Sequence, residues 1–253
     1  MSHLIVGILL ALSSLRAFAI YEPLAQSHLD EQIVEHKHYT LSYSEPHEVS
    51  RWVSYILETS KLKSCTERTN NFRPDPMVKT ESATQADYQG SGFDRGHLLP
   101  AGDMRWDAEA MKETFFFSNM TPQPASFNRG KWKSVEELVR AWALKYKKIW
   151  VVVGPVLKDN LPVIGPHQVA VPDLYYKVIL RQEGTKYYGI GVLMNTKLPY
   201  PEIASYTVSI SEVENLTNIK FFPFLKDEDV KRKKDMSKWD LAAKFSYLPC
   251  GIE

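Results

Sequence analysis

The most informative part of the chain begins with the polar block Phe93-Asp94-Arg95-Gly96-His97-Leu98-Leu99-Pro100. Two further blocks follow, Ser118-Asn119-Met120-Thr121-Pro122-Gln123 and Phe127-Asn128-Arg129-Gly130-Lys131-Trp132. Together, the blocks are rich in His, Asn and Arg among aromatic and apolar residues. Chemistry is therefore expected between residues 93 and 140.

An amphipathic helix is predicted after the third block. Its buried face carries apolar residues at helical spacing, namely Trp132, Val135, Val139, Trp142 and Tyr146. The helix is predicted to include Asn128, so that its amide lies at the N-terminal end of this face, with Glu136 and Arg140 along one flank. At about 1.5 Å per residue, Glu136 is then roughly 12 Å from Asn128 along the axis, too far for both to bind one metal ion readily. Glu136 is therefore predicted to act through water or by holding another side chain.

His97 is the candidate catalytic base. Gly96 is expected to give the backbone freedom before it, and the following Leu98-Leu99 predicts that the ring is partly buried. A lone buried histidine is more often a hydrogen-bonded core residue, but a neutral imidazole is also a general base near pH 7. The nearby Asn128 offers an amide oxygen, which suits a hard cation such as Mg²⁺ that keeps most of its waters.

The remaining elements are predicted from apolar runs and turn residues. Buried strands are expected at 149–153, 169–171, 174–180 and 187–194, with a hairpin at Gly184. Residues 51–57 suit a strand or a short helix, 107–112 a helix and 114–118 a short buried strand. Thr121-Pro122-Gln123-Pro124 is expected to be irregular because its prolines disfavour helices and central strands. A later helix is expected to begin at Ser211, with Glu214 completing a capping box.

Composition sets the class of protein. The chain has 253 residues, enough for one substantial core, and its formal net charge of +1 means that binding to a polyanion needs a local basic patch. Residues 4–15 are apolar or small and are followed by Ala17-Phe18-Ala19, which predicts a signal peptide at 1–19 and a single domain at 20–253. The alternative, a membrane span, needs roughly 20 apolar residues. Export to the periplasm or the exterior, without stable membrane association, is therefore expected.

Two further features concern residues outside the central blocks. Cys65 and Cys250 are the two cysteines of the chain, and they suit either one disulfide in an exported protein or two separate buried thiols. Residues 66–92 form a long polar stretch rich in turn formers, in which Arg68 and Arg73 are candidates for phosphate contacts.

Taken together, the three blocks resemble the DNA/RNA non-specific endonuclease family of the ββα-metal type, and within it the endonuclease G branch. The resemblance covers about residues 50–222 and rests on a spaced set of motifs: Asp94-Arg95-Gly96-His97, then Asn119 with Thr121-Pro122-Gln123, then Asn128 with Trp132, Glu136 and Arg140. The chain departs from the family at Ser126-Phe127, where the family has an acidic residue before the asparagine.

The resemblance implies an α+β fold, with a mainly antiparallel central sheet flanked by helices and a ββα-metal active site. It further implies that His97 is the general base that activates water for attack on phosphorus. Asn128 would be the protein ligand of a Mg²⁺ ion, with Mn²⁺ as the alternative metal.

The resemblance also assigns the surrounding polar residues. Arg95 and Arg140 would neutralise phosphate charge, and Arg68 is the loose match to a further phosphate-contacting arginine. Asn119 and Glu136 would position groups around the ion.

The expected function is an exported, magnesium-dependent endonuclease acting on DNA and RNA, with little sequence preference because phosphate contacts carry no sequence information. Two alternatives stay open. One is a phosphodiesterase for nucleotides or other small phosphodiesters, and the other is a nucleic-acid-binding module without catalysis. The oligomeric state also stays open, with a homodimer among the candidates.

Overall fold

The computed structural model describes residues 24–25, 31–197, 202–225 and 228–251. The predicted signal peptide, residues 1–19, lies outside these ranges. In chain order the strands are β1 Leu24–Ala25, β2 Glu31–Glu35, β3 Thr40–Ser44, β4 Val49–Glu58, β5 Lys63–Ser64, β6 Asp94–His97, β7 Met120–Gln123, β8 Lys148–Pro155, β9 Val163–Ile164, β10 Val169–Ala170, β11 Leu174–Glu183, β12 Lys186–Asn195, β13 Thr207–Val208, β14 Ile219–Lys220 and β15 Leu248–Pro249. The α-helices are α1 Gln85–Tyr88, α2 Ala108–Glu113, α3 Ala125–Asn128, α4 Lys131–Tyr146, α5 Ile210–Thr217 and α6 Glu228–Arg232.

A central sheet of seven strands organises the molecule, in the order β13-β12-β11-β8-β4-β3-β2. Every neighbouring pair in this sheet is antiparallel. The predicted hairpin forms at Gly184, whose φ of 58° lies in the left-handed region that glycine adopts without steric cost. The segment 51–57, for which strand and helix were both open, is part of β4. The predicted α+β class with a mainly antiparallel sheet is confirmed.

Both faces of the central sheet are buried. On one face, Val151 and Val153 of β8 pack in the same cluster as Trp132 and Trp142 of α4. On the other face, the alternating residues of the same strand join a cluster that includes α5. This explains why the central strands read as continuous apolar runs, since side chains of alternate residues point to opposite faces. The predicted apolar face of the long helix is confirmed.

Two predicted elements differ from the structure. Residues 114–118 are not a strand, because α2 ends in a turn there and a short 3-10 helix covers Phe117–Asn119. The helix expected at Ser211 begins two residues earlier: Ser209 is its cap, and the Glu212 carboxylate accepts from the Ser209 N–H to complete the capping box. The same S-x-x-E logic therefore holds at a different serine.

The three central blocks fold as a ββα unit. Strand β6 pairs antiparallel with β7, which places His97 opposite Met120 and Arg95 opposite Pro122. The expectation that 121–124 is irregular is therefore wrong for residues 121–123. A two-stranded sheet has a free edge on each strand, so a proline that lacks an N–H is tolerated in it. Helices α3 and α4 follow β7 directly.

A disulfide ties the C-terminal region to the polar stretch before β6. Cys65 and Cys250 are bonded, across a sequence separation of 185 residues, and β15 pairs in parallel with β5 beside them. This decides between the two alternatives left open by the sequence.

Among the described residues, none of the helices is both long and apolar enough to cross a membrane.

Candidate active site

A single cleft of about 1060 Å³ gathers most of the predicted site residues. It lies against β6, α3 and α4. Six of the seven predicted residues line it: Arg68, Arg95, His97, Asn128, Glu136 and Arg140. The exception is Asn119, which is buried behind the cleft. The sequence motifs, which are spread over 73 positions from Arg68 to Arg140, thus converge on one surface.

His97 stands at the end of β6 and is only 8% exposed. Its ring packs edge-on against Phe115 and Phe72, at centroid distances of 5.0 and 5.8 Å. Burial lowers the pKa of His97 to about 3, and the positive charges of Arg68 and Arg95 act in the same direction. The imidazole is therefore neutral at physiological pH.

The tautomer of His97 also follows from its contacts. A hydrogen bond with the Arg95 backbone opposes these influences and raises the pKa of His97, as expected when the ring donates to a carbonyl. Within the described residues, Nε2 has no hydrogen-bond partner, so the donor is Nδ1. An unpartnered, unprotonated Nε2 is the atom that a general base requires.

A glycine is needed at position 96 for lack of space and not, as predicted from the sequence, for backbone freedom. Its φ is not in the left-handed region, so backbone freedom is not the cause. A Cβ at this position would lie 2.2 Å from the side chain of Gln123 on the paired strand. Gln123 is fully buried there and donates to Thr121 Oγ1 at 3.1 Å. The glycine therefore makes room for close packing behind His97.

Asn128 is the last residue of α3, and it is not part of the long helix. The expectation of one continuous helix is wrong because Gly130 takes a non-helical conformation, with φ −99° and ψ −121°, before α4 begins. The helical-wheel distance between Asn128 and Glu136 therefore does not apply. Both residues nevertheless line the same cleft.

The Asn128 amide is oriented by Asp94. Asn128 Nδ2 donates to Asp94 Oδ2 at 2.9 Å, and Arg129 donates to both oxygens of that carboxylate, at 2.6 and 2.8 Å. Burial alone would raise the pKa of Asp94, but these hydrogen bonds hold that pKa below its usual value. A carboxylate only accepts hydrogen bonds, so Asp94 must contact the amide nitrogen of Asn128 and not its oxygen. Among the described residues no donor contacts Asn128 Oδ1, and this oxygen can therefore serve as a metal ligand.

Arg140 is held by a buried carboxylate beneath the cleft. Its Nη1 donates to Asp103 Oδ1 at 2.7 Å, and Tyr55 donates to the other oxygen of Asp103 at 2.8 Å. Burial would lower the pKa of Arg140, but Asp103 and Glu136 raise it, so the guanidinium stays charged. Asp103 was not among the predicted site residues. Its place shortly after the Asp94–His97 motif is the sequence signal that could have found it.

Glu136, which lines the cleft, and the buried Lys177 of β11 influence each other electrostatically. Burial raises the pKa of Glu136 to about 7, against the opposing influence of Lys177 and Arg140. Burial lowers the pKa of Lys177 to about 8, against the influence of Glu136. Lys177 is 0% exposed on β11, 4.6 Å from the Trp132 ring, and its Nζ has no hydrogen-bond partner within the described part of the chain. The residues around Lys177 form an apolar run, which did not predict a buried charged group at this position.

Two arginines form the side of the cleft near His97. The Arg95 guanidinium lies 4.0 Å from the Phe72 ring centroid and donates to Gln85 Oε1. Arg68 stacks over Phe115 at 4.9 Å and is exposed. Both therefore keep N–H groups available beside the base.

Arg73, the other candidate arginine of the polar stretch, is used elsewhere. It donates to the carbonyls of Asn71 and Lys112 and stacks on Phe116 at 4.1 Å. It is not among the residues that line the cleft.

Asn119 contacts backbone and not the cleft. Its Oδ1 accepts from the Leu99 N–H at 2.9 Å, and its Nδ2 donates to the carbonyls of Leu99 and Thr114. The Asn119 carbonyl also accepts from Leu98 N–H. These contacts fix the chain immediately after His97, so a role for Asn119 would be to position that histidine.

The cleft is strongly basic although the whole chain is nearly neutral. Seven arginine and lysine residues line it against two glutamates. Arg105, Arg129, Lys133 and Lys244 among them were not predicted. Residues 241–247, which form one wall of the cleft, were also not predicted, because long-range contacts bring them to the site, among them the disulfide and the hydrogen bond from Tyr247 to Gly102.

The chain is similar in sequence to several nucleases. The chain is 35% identical over 205 residues to the mitochondrial nuclease EXOG of Homo sapiens, a match that covers 74% of this chain and 56% of that one. It is 30% identical to mitochondrial endonuclease G of Homo sapiens over 76% of this chain and 70% of the relative. A nuclease of Nostoc sp. is 31% identical, over 76% and 73% respectively. The chain thus spans little more than half the length of human EXOG.

The structure is similar to that of EndoG in its complex with EndoGI, with a TM-score of 0.72 and 30% identity over 78% of this chain and 87% of the other. The sequence profile described as DNA/RNA non-specific endonuclease matches residues 17–228. This match contains every residue of the predicted site. The chain therefore belongs to the DNA/RNA non-specific endonuclease family.

Proposed function

We propose that the chain is an exported, magnesium-dependent endonuclease that hydrolyses phosphodiester bonds of DNA and RNA with little sequence preference. The observation that carries the proposal is the neutral His97, with an unpartnered Nε2, which lines the same basic cleft as the oriented amide of Asn128. The family and the nuclease relatives support the same activity.

The residues present suit a hard divalent cation. Among the described residues no group of three or more His, Cys, Asp or Glu side chains could hold a metal, so a tight all-protein site is not built. Asn128 Oδ1 is a neutral oxygen ligand of the kind that Mg²⁺ accepts while keeping its waters, and Glu136 lies in the same cleft to hold such a water. When bound, the ion would stabilise charge on the transferred phosphate and the leaving oxygen.

The side chains perform the other parts of the reaction. His97 Nε2 takes the proton from the attacking water. Arg68 and Arg95 bind the anionic phosphate, and in doing so they no longer oppose protonation of the imidazole as strongly, which makes His97 a better base in the substrate complex. Arg140, fixed by Asp103, adds a rigid cation to the lining of the cleft.

The charge of the cleft favours a polyanionic polymer over a small diester. Pockets for small ligands are mostly apolar, whereas this cleft is lined by seven cationic residues. The alternative of a binding module without catalysis is disfavoured by His97, because phosphate binding does not require an unprotonated, unpartnered imidazole.

The test is cleavage of plasmid DNA and of RNA by the purified chain, with Mg²⁺ and with excess EDTA. Asn128→Ala should lose most activity, while Asn215→Ala, an exposed asparagine on α5, should keep it. Circular dichroism checks that both variants fold. Wild-type activity in excess EDTA, or full activity of Asn128→Ala, would refute the metal assignment.

Export is supported by residues 1–19 and by the Cys65–Cys250 disulfide, since such bonds persist in oxidising compartments. The names of the human relatives place those proteins in mitochondria. Mitochondrial presequences are rich in arginine, whereas residues 1–19 contain a single one, Arg16. Mass analysis of protein secreted by an expressing host should find Ile20 as the first residue, and an uncleaved or differently cut chain would contradict the proposal.

A further inference from the structure

The cleft has a wall that the family match does not include. Residues 239–250, here named the C-terminal strap, follow the end of that match at residue 228. Trp239 packs on Trp142 at a centroid distance of 4.7 Å, and Trp142 Nε1 donates to the Asp240 carbonyl at 2.7 Å. At its other end the strap is bonded through Cys250 to Cys65. It is thus fixed at both ends.

Between these ends, the strap presents two aromatic rings to the cleft. Phe245 and Tyr247 both line it, are partly exposed, and contact each other at 4.7 Å and 80°. Tyr247 donates to the Gly102 carbonyl at 2.8 Å, which fixes its ring. A Cβ on Gly102 would lie 2.9 Å from both the Tyr247 hydroxyl and Arg140 Nη1, so glycine is needed for this approach.

Phe245 lies beside a phosphate-binding group. The Arg140 guanidinium carbon is 5.4 Å from the centroid of the Phe245 ring, and exposed Lys244 is next to it in the chain and also lines the cleft. In nucleic acids each phosphate is one sugar away from a base. A phosphate held at Arg140 therefore places its neighbouring base within reach of an aromatic face, which is how proteins bind unpaired bases.

We propose that Phe245 stacks on an unpaired base of the substrate next to the scissile phosphate. The proposal rests on the proposed nuclease function and adds a preference to it. A base in a duplex is already stacked, so it must leave the helix before it can reach Phe245, and this costs free energy. Single-stranded nucleic acid, or a locally unpaired region of a duplex, is therefore the preferred substrate.

The experiment maps cleavage of an end-labelled single-stranded DNA in which one nucleotide is replaced by a tetrahydrofuran residue, which keeps the phosphates but has no base. The full chain with its disulfide intact is compared with Phe245→Leu, which keeps apolar bulk but has no ring face. Tyr187→Leu is the matched control, because Tyr187 is also partly exposed but packs against Trp150 on the opposite face of the sheet.

In the wild type, cleavage should fall about 5- to 150-fold at a bond a fixed number of nucleotides from the missing base, the range that corresponds to loss of one stacked base. In Tyr187→Leu the same fall should appear. In Phe245→Leu this fall in cleavage should largely disappear, because without the Phe245 ring the base makes no stacking contact that its removal could abolish. Equal falls in all three proteins, or none in the wild type, would overturn the proposal. Failure to cut either DNA would instead refute the nuclease function itself.

Discussion

Glu136→Gln should stabilise the fold at alkaline pH while it lowers activity. In the folded protein burial raises the pKa of Glu136 from its usual 4.5 to about 7. The fold therefore disfavours the ionised carboxylate, and stability is lost as the pH rises from about 4.5 to about 7. At about 1.36 kcal/mol per pH unit, this interval corresponds to roughly 3 kcal/mol.

Glutamine has nearly the same shape and does not ionise, so the variant avoids this loss. Part of the gain is offset because Lys177 loses the carboxylate that favours its charged form. A net stabilisation of about 1 to 3 kcal/mol at pH 8, and almost none at pH 5, is therefore expected. Nuclease activity should fall at both pH values, because an amide accepts protons and water hydrogen bonds more weakly than a carboxylate.

Urea unfolding in EDTA at pH 5, 6, 7 and 8 measures the free energy of unfolding without any contribution from a metal. The matched control is Glu137→Gln, which changes the adjacent exposed residue, 3.8 Å from Lys133. Surface pairs of this kind contribute little, so this variant should follow the wild type within about 0.5 kcal/mol. A difference between Glu136→Gln and wild type that does not widen from pH 5 to pH 8 would refute the reasoning.

Two further predictions concern the base and the disulfide. His97→Ala should fold and bind DNA as the wild type does but lose about 100- to 10,000-fold in turnover, with partial rescue by free imidazole; near wild-type cleavage would remove His97 from the mechanism. The Cys65–Cys250 bond closes a loop of 185 residues, so the double serine variant should unfold more easily by up to about 5 kcal/mol in the chain-entropy model, as urea titration can measure. Two free thiols found by mass analysis of the exported protein would contradict the second prediction.

The sequence predicted best where one physical signal dominates. The strands between residues 149 and 194 are long apolar runs separated by Gly184, and α4 carries an uninterrupted apolar face. The first pattern is typical of buried strands and the second of an amphipathic helix. The candidate site residues His97 and Asn128 were predicted because chemistry restricts residue type at a site more strongly than packing does, and both line the cleft.

Prediction from the sequence failed where two signals compete. The aromatic run 115–117 has strand composition, yet Phe117 begins a 3-10 helix, because the chain must turn to bring Asn119 behind His97. Apolar periodicity favoured extending α4 back to Asn128, while Gly130 favoured a break, and the glycine prevailed. A Cβ at Gly130 would lie 2.2 Å from the Ser126 carbonyl oxygen, so this break also needs glycine.

The charged groups beneath the cleft could not be predicted from their neighbours in sequence, and they also do not serve stability. Lys177 has a lowered pKa and no hydrogen-bond partner among the described residues, and the buried Arg140–Asp103 pair is of a kind that apolar residues often replace without loss. With Glu136 only partly ionised near neutral pH, these four groups carry an excess of positive charge. If an anionic phosphate binds in the cleft, as proposed above, it offsets that excess of positive charge. Substrate binding would then recover part of the free energy that the burial of Lys177 costs.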